Sequence, residues 1–200
     1  MSAVVIGGSA GATDALSFVL PALPSDFAAP ILMVLHIPKD VQNLLIDLLA
    51  PRLRLSLREA EDKSPVAPGT VYVGPPDYHL LVESGEHLSL SIDAPVHFSR
   101  PSIDVLFESA AYVYGEGLVA VLLSGASEDG ARGLAFVRER GGRTLVQDPD
   151  TAQVGTMPRA AIRLGAAQHV LALSGIVLFL KEASERVLTT RSTLARMPHE

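Results

Sequence analysis

Val4-Val5-Ile6-Gly7-Gly8-Ser9-Ala10-Gly11, then Thr13-Asp14 and an apolar stretch, is the part of the chain whose reading decides the fold. A β-branched run, a glycine corner and apolar residues at helical spacing describe strand, tight turn, helix. The turn fits G-x-S-x-G, which holds a serine exposed at a sharp strand-to-helix corner. Small residues on both sides of Ser9 let backbone or substrate come close. The same corner half-fits a Gly-rich phosphate loop, although G-x-G-x-x-G is not met. A nucleophilic serine, a phosphate-binding turn and a plain turn all remain open on this stretch alone.

Outward from the turn, strand and helix patterns alternate. Residues 13–20 read as a helix with Thr13 as N-cap, ended by Pro21 and Pro24. Ile31–Leu35 is a continuous apolar run, as for a strand buried on both faces of a parallel sheet, and it stops at His36-Ile37-Pro38. A helix follows over 40–50 and a weaker strand over 54–60. Residues 69–93 predict a small antiparallel hairpin, with a strand from Gly69, then Leu80–Val82 and Leu88–Ile92 around Glu83–Glu86. A polar loop over 94–101 holds His97, Arg100 and Pro101, and Ser102 is placed to cap a helix running to Tyr114. Leu118–Leu123 is a second buried strand, broken at Ser124–Gly130, with a helix to about Arg140. A strand over Arg143–Gln147, a loop with Met157-Pro158, a strand over Gln168–Ala172 and a helix capped by Ser174 complete the chain. The expected fold class is α/β: an open, mostly parallel, doubly wound (Rossmann-like) sheet with helices on both faces and the hairpin near 69–93. One domain over 1–190 and a frayed tail over 191–200 are expected.

The bulk numbers narrow the function classes. The chain has 200 residues, 48% hydrophobic and 19% charged, enough for one sizeable core. A net charge of −6 argues against nucleic acid or an anionic membrane as the main partner. Without cysteine there is no disulfide, thiolate metal site or cysteine nucleophile, which fits a cytoplasmic protein. No signal peptide or membrane-length apolar run is visible, so no membrane insertion is expected.

In open α/β sheets, ligands bind outside the carboxyl ends of the strands. Ser9 follows the first strand, His36 the second, and Asp129 lies in the glycine-containing loop after Leu123. A nucleophile, a base and a carboxylate thus meet on one sheet edge, in the order Ser, His, Asp. That is not the α/β-hydrolase order, but such triads are defined by role and geometry. Asp148 also ends a strand and competes as the orienting acid. Asp129 has a structural alternative, as a cap on the helix that follows it. His79, His87, His97, His169 and His199 lie off the strand ends and are set aside.

The constellation resembles the catalytic domain of the CheB-type chemotaxis methylesterases over roughly residues 3–188. The motifs that carry the likeness are Gly7–Gly11, Val34–Pro38, Val71–Leu80, Ser99–Phe107, Leu122–Gly130, and Gln147-Asp148 with Met157-Pro158. The resemblance implies demethylation of glutamate γ-methyl esters on chemoreceptors, releasing methanol, with glutamine deamidation as a side activity. It implies Ser9 as nucleophile, His36 as base and Asp129, rather than Asp148, as acid. Backbone N–H groups of Ala10 or Ala126 would hold the oxyanion, Arg100 and Met157 would contact substrate, and no metal or cofactor is called for. The implied partners are the cytoplasmic helices of methyl-accepting receptors. Family members usually carry a receiver domain, none is expected here, and any response-regulator control would be separate. The family's T-G-M-G-x-D-G reads Ser124–Gly130 here, with Ala126 for the methionine and Ser127 for the following glycine, and Ala10 stands where a hydroxyl residue is common. A catalytically weak receptor- or partner-binding module of the same fold is the alternative reading.

Overall fold

The structure, a computed structural model, describes residues 1–36 and 39–194. Its centre is β1 (Ala3–Gly8), buried at every position. β1 lies between β2 (Ile31–Leu35) and β7 (Leu118–Leu122), and both pairings are parallel. β3 (Ser56–Glu59) and β4 (Thr70–Val73) extend the sheet beyond β2, while β8 (Arg143–Gln147) and β9 (His169–Leu171) extend it beyond β7. The seven-stranded order is β3-β4-β2-β1-β7-β8-β9. The chain therefore winds one way from β1 and then the other, and the order reverses between β1 and β7. The carboxyl ends of strands at such a reversal border the crevice where α/β sheets bind ligands.

Alternation along the central strands builds two cores. Val4 and Ile6 of β1, Met33 and Leu35 of β2 and Val121 of β7 face α1 (Ala12–Val19), α2 (Lys39–Leu49) and α6 (Leu173–Leu194). Ala3 and Val5, Leu32 and Val34, and Leu118, Ala120 and Leu122 face α3 (Ile103–Tyr114), α4 (Ala131–Glu139) and α5 (Thr156–Arg163). Each fully buried branched side chain contributes about 1.5–3 kcal/mol, which fixes the register, because a slip of one residue would exchange the two faces.

The antiparallel pair is β5 (His79–Glu83) with β6 (His87–Ser91), inside the expected 69–93. Thr70–Val73 is not part of it. Its four residues are all buried, and it completes the parallel sheet between β2 and β3. The β5–β6 pair packs Leu80, Val82 and Leu88 into the α3 side of the core.

Three expected caps differ. Helix α1 starts after Gly11, whose φ of 80° is left-handed, and not after Thr13. A side chain at Gly11 would also meet Gln153 at 2.6 Å and the Ser124 hydroxyl at 2.8 Å, so close packing of the serine turn demands glycine there. Ser102 does occupy the N-cap position of α3, but its hydroxyl makes no capping bond to its own helix. Ser174 falls inside the first turn of α6. Ile37-Pro38 and residues 195–200 of the expected tail lie outside the described residues, while 191–194 belong to α6.

Candidate active site

Strand register brings the serine and the histidine together. Gly8 pairs with Leu35, and the His36 N–H donates to the Gly8 carbonyl at 3.0 Å. Ser9 and His36 are thus successive to a matched pair on neighbouring strands, about 4.8 Å apart in backbone spacing. On the other side Leu123 N–H donates to Gly7 and Ser9 N–H donates to the Ser124 carbonyl, both at 2.9 Å, locking the serine turn to the end of β7. Ser9 is half-buried.

Asp129 closes the group. Its Oδ2 lies 2.8 Å from His36 Nε2, with the carboxylate fully buried and the imidazole 12% exposed. Three further donors converge on it. Ser102 Oγ donates to Oδ1 at 2.8 Å, Ile103 N–H to Oδ2 at 2.7 Å and Asp104 N–H to Oδ1 at 3.1 Å. Asp129 therefore caps a helix from outside it: its carboxylate takes up two of the free N–H groups at the start of α3. It does not cap α4, which begins after the left-handed Gly130 without a side-chain cap. Burial alone would push its carboxyl up. The His36 bond and the Ile103 and Asp104 N–H groups outweigh that and hold it below the ordinary value. A side chain at Gly7 would come within 2.2 Å of Ile103 Cγ2, so a glycine there lets the start of α3 approach β1.

Asp148 takes no part in this cluster. Its carboxylate accepts the Asp150 N–H at 3.0 Å in a local turn. Asp104 is a second buried carboxylate, 4% exposed, bonded by the Gly133 N–H at 2.6 Å and 3.5 Å from His97 Nε2. Burial above all, with the neighbouring Asp129 and Glu108 carboxylates, raises it to about 6 against the opposing Gly133 bond and His97.

The loop after β7 is held from below. Buried Gln147 accepts the Ser124 N–H at 2.9 Å, and Ser124 Oγ donates to the Ala10 carbonyl at 2.7 Å while accepting the Val154 N–H at 2.9 Å. The Ser9 and Gly125 N–H groups are both spent on carbonyls. Those of Ala10 and Ala126 take part in no backbone bond among the described residues, and both residues are exposed. Ser127 is not among the residues with positive φ, so the backbone there does not require glycine. Met157 is fully buried, its N–H bonded to the Gly125 carbonyl at 2.9 Å, so it supports the loop from beneath. Arg100 donates through Nη1 to the carbonyls of Ile92 at 2.9 Å and Asp93 at 3.1 Å.

Sequence reasoning missed Ser124 and Gln147 as loop supports, and Ser102 and His79 as neighbours of the acid. Polar side chains immediately beyond apolar runs were the available signal for Ser124 and Gln147. For Ser102 and His79 there was none, since their partners are distant in sequence.

The CheB methylesterase family profile matches residues 4–180. The chain belongs to the CheB methylesterase family. A putative protein-glutamate methylesterase/protein-glutamine glutaminase of Leptospira interrogans is 46% identical over 90% of this chain and 93% of its own length. The Symbiobacterium thermophilum protein-glutamate methylesterase/protein-glutamine glutaminase is 42% identical over 86% of this chain. The protein-glutamate methylesterase FrzG of Myxococcus xanthus is likewise 42% identical over 86% of the chain. The chain spans about half the length of these last two, 48% and 52%. The crystal structure of the Thermotoga maritima CheB methylesterase catalytic domain superposes with a TM-score of 0.88 at 35% identity, covering 90% of this chain and 97% of that one. The chain is thus a methylesterase-family hydrolase with the CheB catalytic-domain fold. Among the described residues no helix is long and apolar enough to cross a membrane.

Proposed function

We propose that this CheB-family protein removes methyl groups from glutamate γ-methyl esters on the cytoplasmic helices of methyl-accepting chemoreceptors, acting in the cytoplasm through a Ser9-His36-Asp129 triad. The observation that carries the reading is the 2.8 Å contact of buried Asp129 with His36, one strand over from the serine turn. With Nε2 engaged by Asp129, Nδ1 is the nitrogen left to accept the Ser9 proton. Ser9 Oγ attacks the ester carbonyl, and the N–H groups of Ala10 and Ala126 receive the developing oxyanion. His36 passes the proton to departing methanol. Water, deprotonated by the same imidazole, then releases the glutamate and restores Ser9. A glutamine amide would follow the same route with ammonia leaving. No step calls for a metal or organic cofactor.

Arg100 is assigned to acidic groups on the substrate helix, and Met157 to the floor under the 124–126 loop. Control by a response regulator, where it operates, acts from a separate domain or chain. The test is methanol release from a methylated chemoreceptor cytoplasmic fragment. Ser9→Ala should lower kcat by about 10⁴-fold or more if the three residues act as a unit. Turnover within tenfold of the unaltered protein would remove the nucleophile assignment.

A further inference from the structure

The antiparallel β5–β6 pair adds nothing to the parallel sheet, yet it reaches the triad. His79, at the start of β5, is 1% exposed. Its Nδ1 accepts the Ser102 N–H at 3.1 Å, and its Nε2 lies 3.2 Å from the Ala94 carbonyl. A backbone N–H can only donate and a carbonyl can only accept. The ring is therefore fixed as the tautomer with its proton on Nε2. Ser102, fully buried, stands one bond further in and donates its hydroxyl to Asp129. A continuous chain thus runs Ala94 carbonyl, His79, Ser102, Asp129, His36. A second tie along the same helix, Val82 N–H to Ser109 Oγ at 3.2 Å, fixes α3 against β5 farther from its start.

We infer that His79 is a positioning residue for catalysis, holding Ser102 and the first turn of α3 so that Asp129 keeps its orientation toward His36. The inference rests on the triad reading above. The three hydrogen bonds that hold Asp129 all come from residues 102–104, and the Ser102 backbone is held at its own N–H by His79. Rotation or withdrawal of Ser102 would disturb all three together. Positioning groups of this sort act on the transition state, where the imidazolium needs its counter-charge, more than on substrate binding.

Asparagine and glutamine at position 79 divide the two arms of the ring. The shorter amide of asparagine places its oxygen where Nδ1 stands and keeps an acceptor for the Ser102 N–H. The longer amide of glutamine reaches the Nε2 position, keeping the Ala94 bond and abandoning Ser102. The protein is assayed on methylated chemoreceptor fragment, with Tm measured for every variant. His79→Gln and Ser102→Ala should each lower kcat roughly tenfold, the equivalent of one hydrogen bond, with KM within about twofold. His79→Asn should restore kcat to at least about half of that of the unaltered protein. Equal kcat for His79→Asn and His79→Gln, or losses that follow Tm instead of the arm removed, would overturn the inference. If His79→Gln does not fold, Ser102→Ala carries the comparison, and an unchanged kcat there overturns it. Ser9→Ala runs alongside: activity surviving in that variant removes the triad reading, whereas its loss with no response at His79 and Ser102 removes only this inference.

Discussion

Replacing Asp129 by asparagine tests both parts of that residue's bonding. The carboxylate accepts at both oxygens, from Ser102 Oγ and Asp104 N–H on Oδ1 and from Ile103 N–H on Oδ2, and His36 Nε2 lies against Oδ2 at 2.8 Å. An amide has one acceptor end, so one pair must face an NH₂ group. With the amide oxygen toward His36, the Ser102 hydroxyl can turn to accept, but the Asp104 N–H is stranded. An unpaired buried donor costs about 1–3 kcal/mol, and the lost charge at the start of α3 about 1 more. The sum of about 2–4 kcal/mol lowers Tm by roughly 4–16 °C for a chain of this size. In this orientation the imidazolium forms beside a neutral group. Losing about 3 kcal/mol of pairing there slows turnover by at least about 10²-fold. In the opposite orientation the NH₂ donates to His36 Nε2 and forces the ring proton onto the nitrogen facing Ser9, for a loss of about 10⁴-fold. The assay is methanol release with kcat and KM separated, beside thermal unfolding of the same preparation. Asp148→Asn, which touches only a local turn, should leave both measurements nearly unchanged. A folded Asp129→Asn variant turning over within tenfold of the unaltered protein, or a larger loss at Asp148, would refute the reasoning.

Asp104 gives a pH-dependent expectation. Its carboxyl is raised from 3.8 to about 6, so the folded state binds its proton more tightly than the unfolded chain does. The resulting destabilisation is absent below about pH 4, grows between pH 4 and 6 and is complete above that, at roughly 3 kcal/mol. Asp104→Asn, whose amide oxygen still accepts the Gly133 N–H, should therefore stabilise the fold at pH 8 and be neutral near pH 4. Urea unfolding at the two pH values checks this, and an equal effect at both removes the burial argument. In the loop after β7, Ala126→Met and Ser127→Gly should each change kcat by less than about threefold, because the backbone donor belongs to any residue and Ser127 is not in the left-handed region. A gain of tenfold or more for either in the methanol-release assay would show that side-chain identity there limits catalysis.

The central strands were legible because burial on both faces writes an unbroken apolar run, as in Ile31–Leu35 and Leu118–Leu122. The triad residues were legible for a related reason: they stand directly beyond such runs, where the chain must leave the sheet. Thr70–Val73 was assigned to the hairpin because a short β-branched segment does not name its partner. Pairing with Ile31–Met33 is a long-range choice made by the core. Caps failed in the same way. Thr13, Ser102 and Asp129 have cap chemistry in sequence, but the bonds were decided by which helix start lay within reach in three dimensions. His79 looked like an unremarkable hairpin residue because its partner Ser102 is 23 positions away.

Because Asp129 closes the open end of α3 as well as facing His36, folding and turnover draw on the same carboxylate. The serine is not so bound: its Oγ caps no helix start, since α1 begins after Gly11 without a side-chain cap. A lineage of this fold relieved of its esterase duty is therefore under unequal constraint. The nucleophile is free to drift at once, while the acid stays under selection for foldedness alone. Retired descendants should be recognisable by an intact aspartate and α3 start beside a vanished serine, the reverse of what decay from catalysis alone would leave.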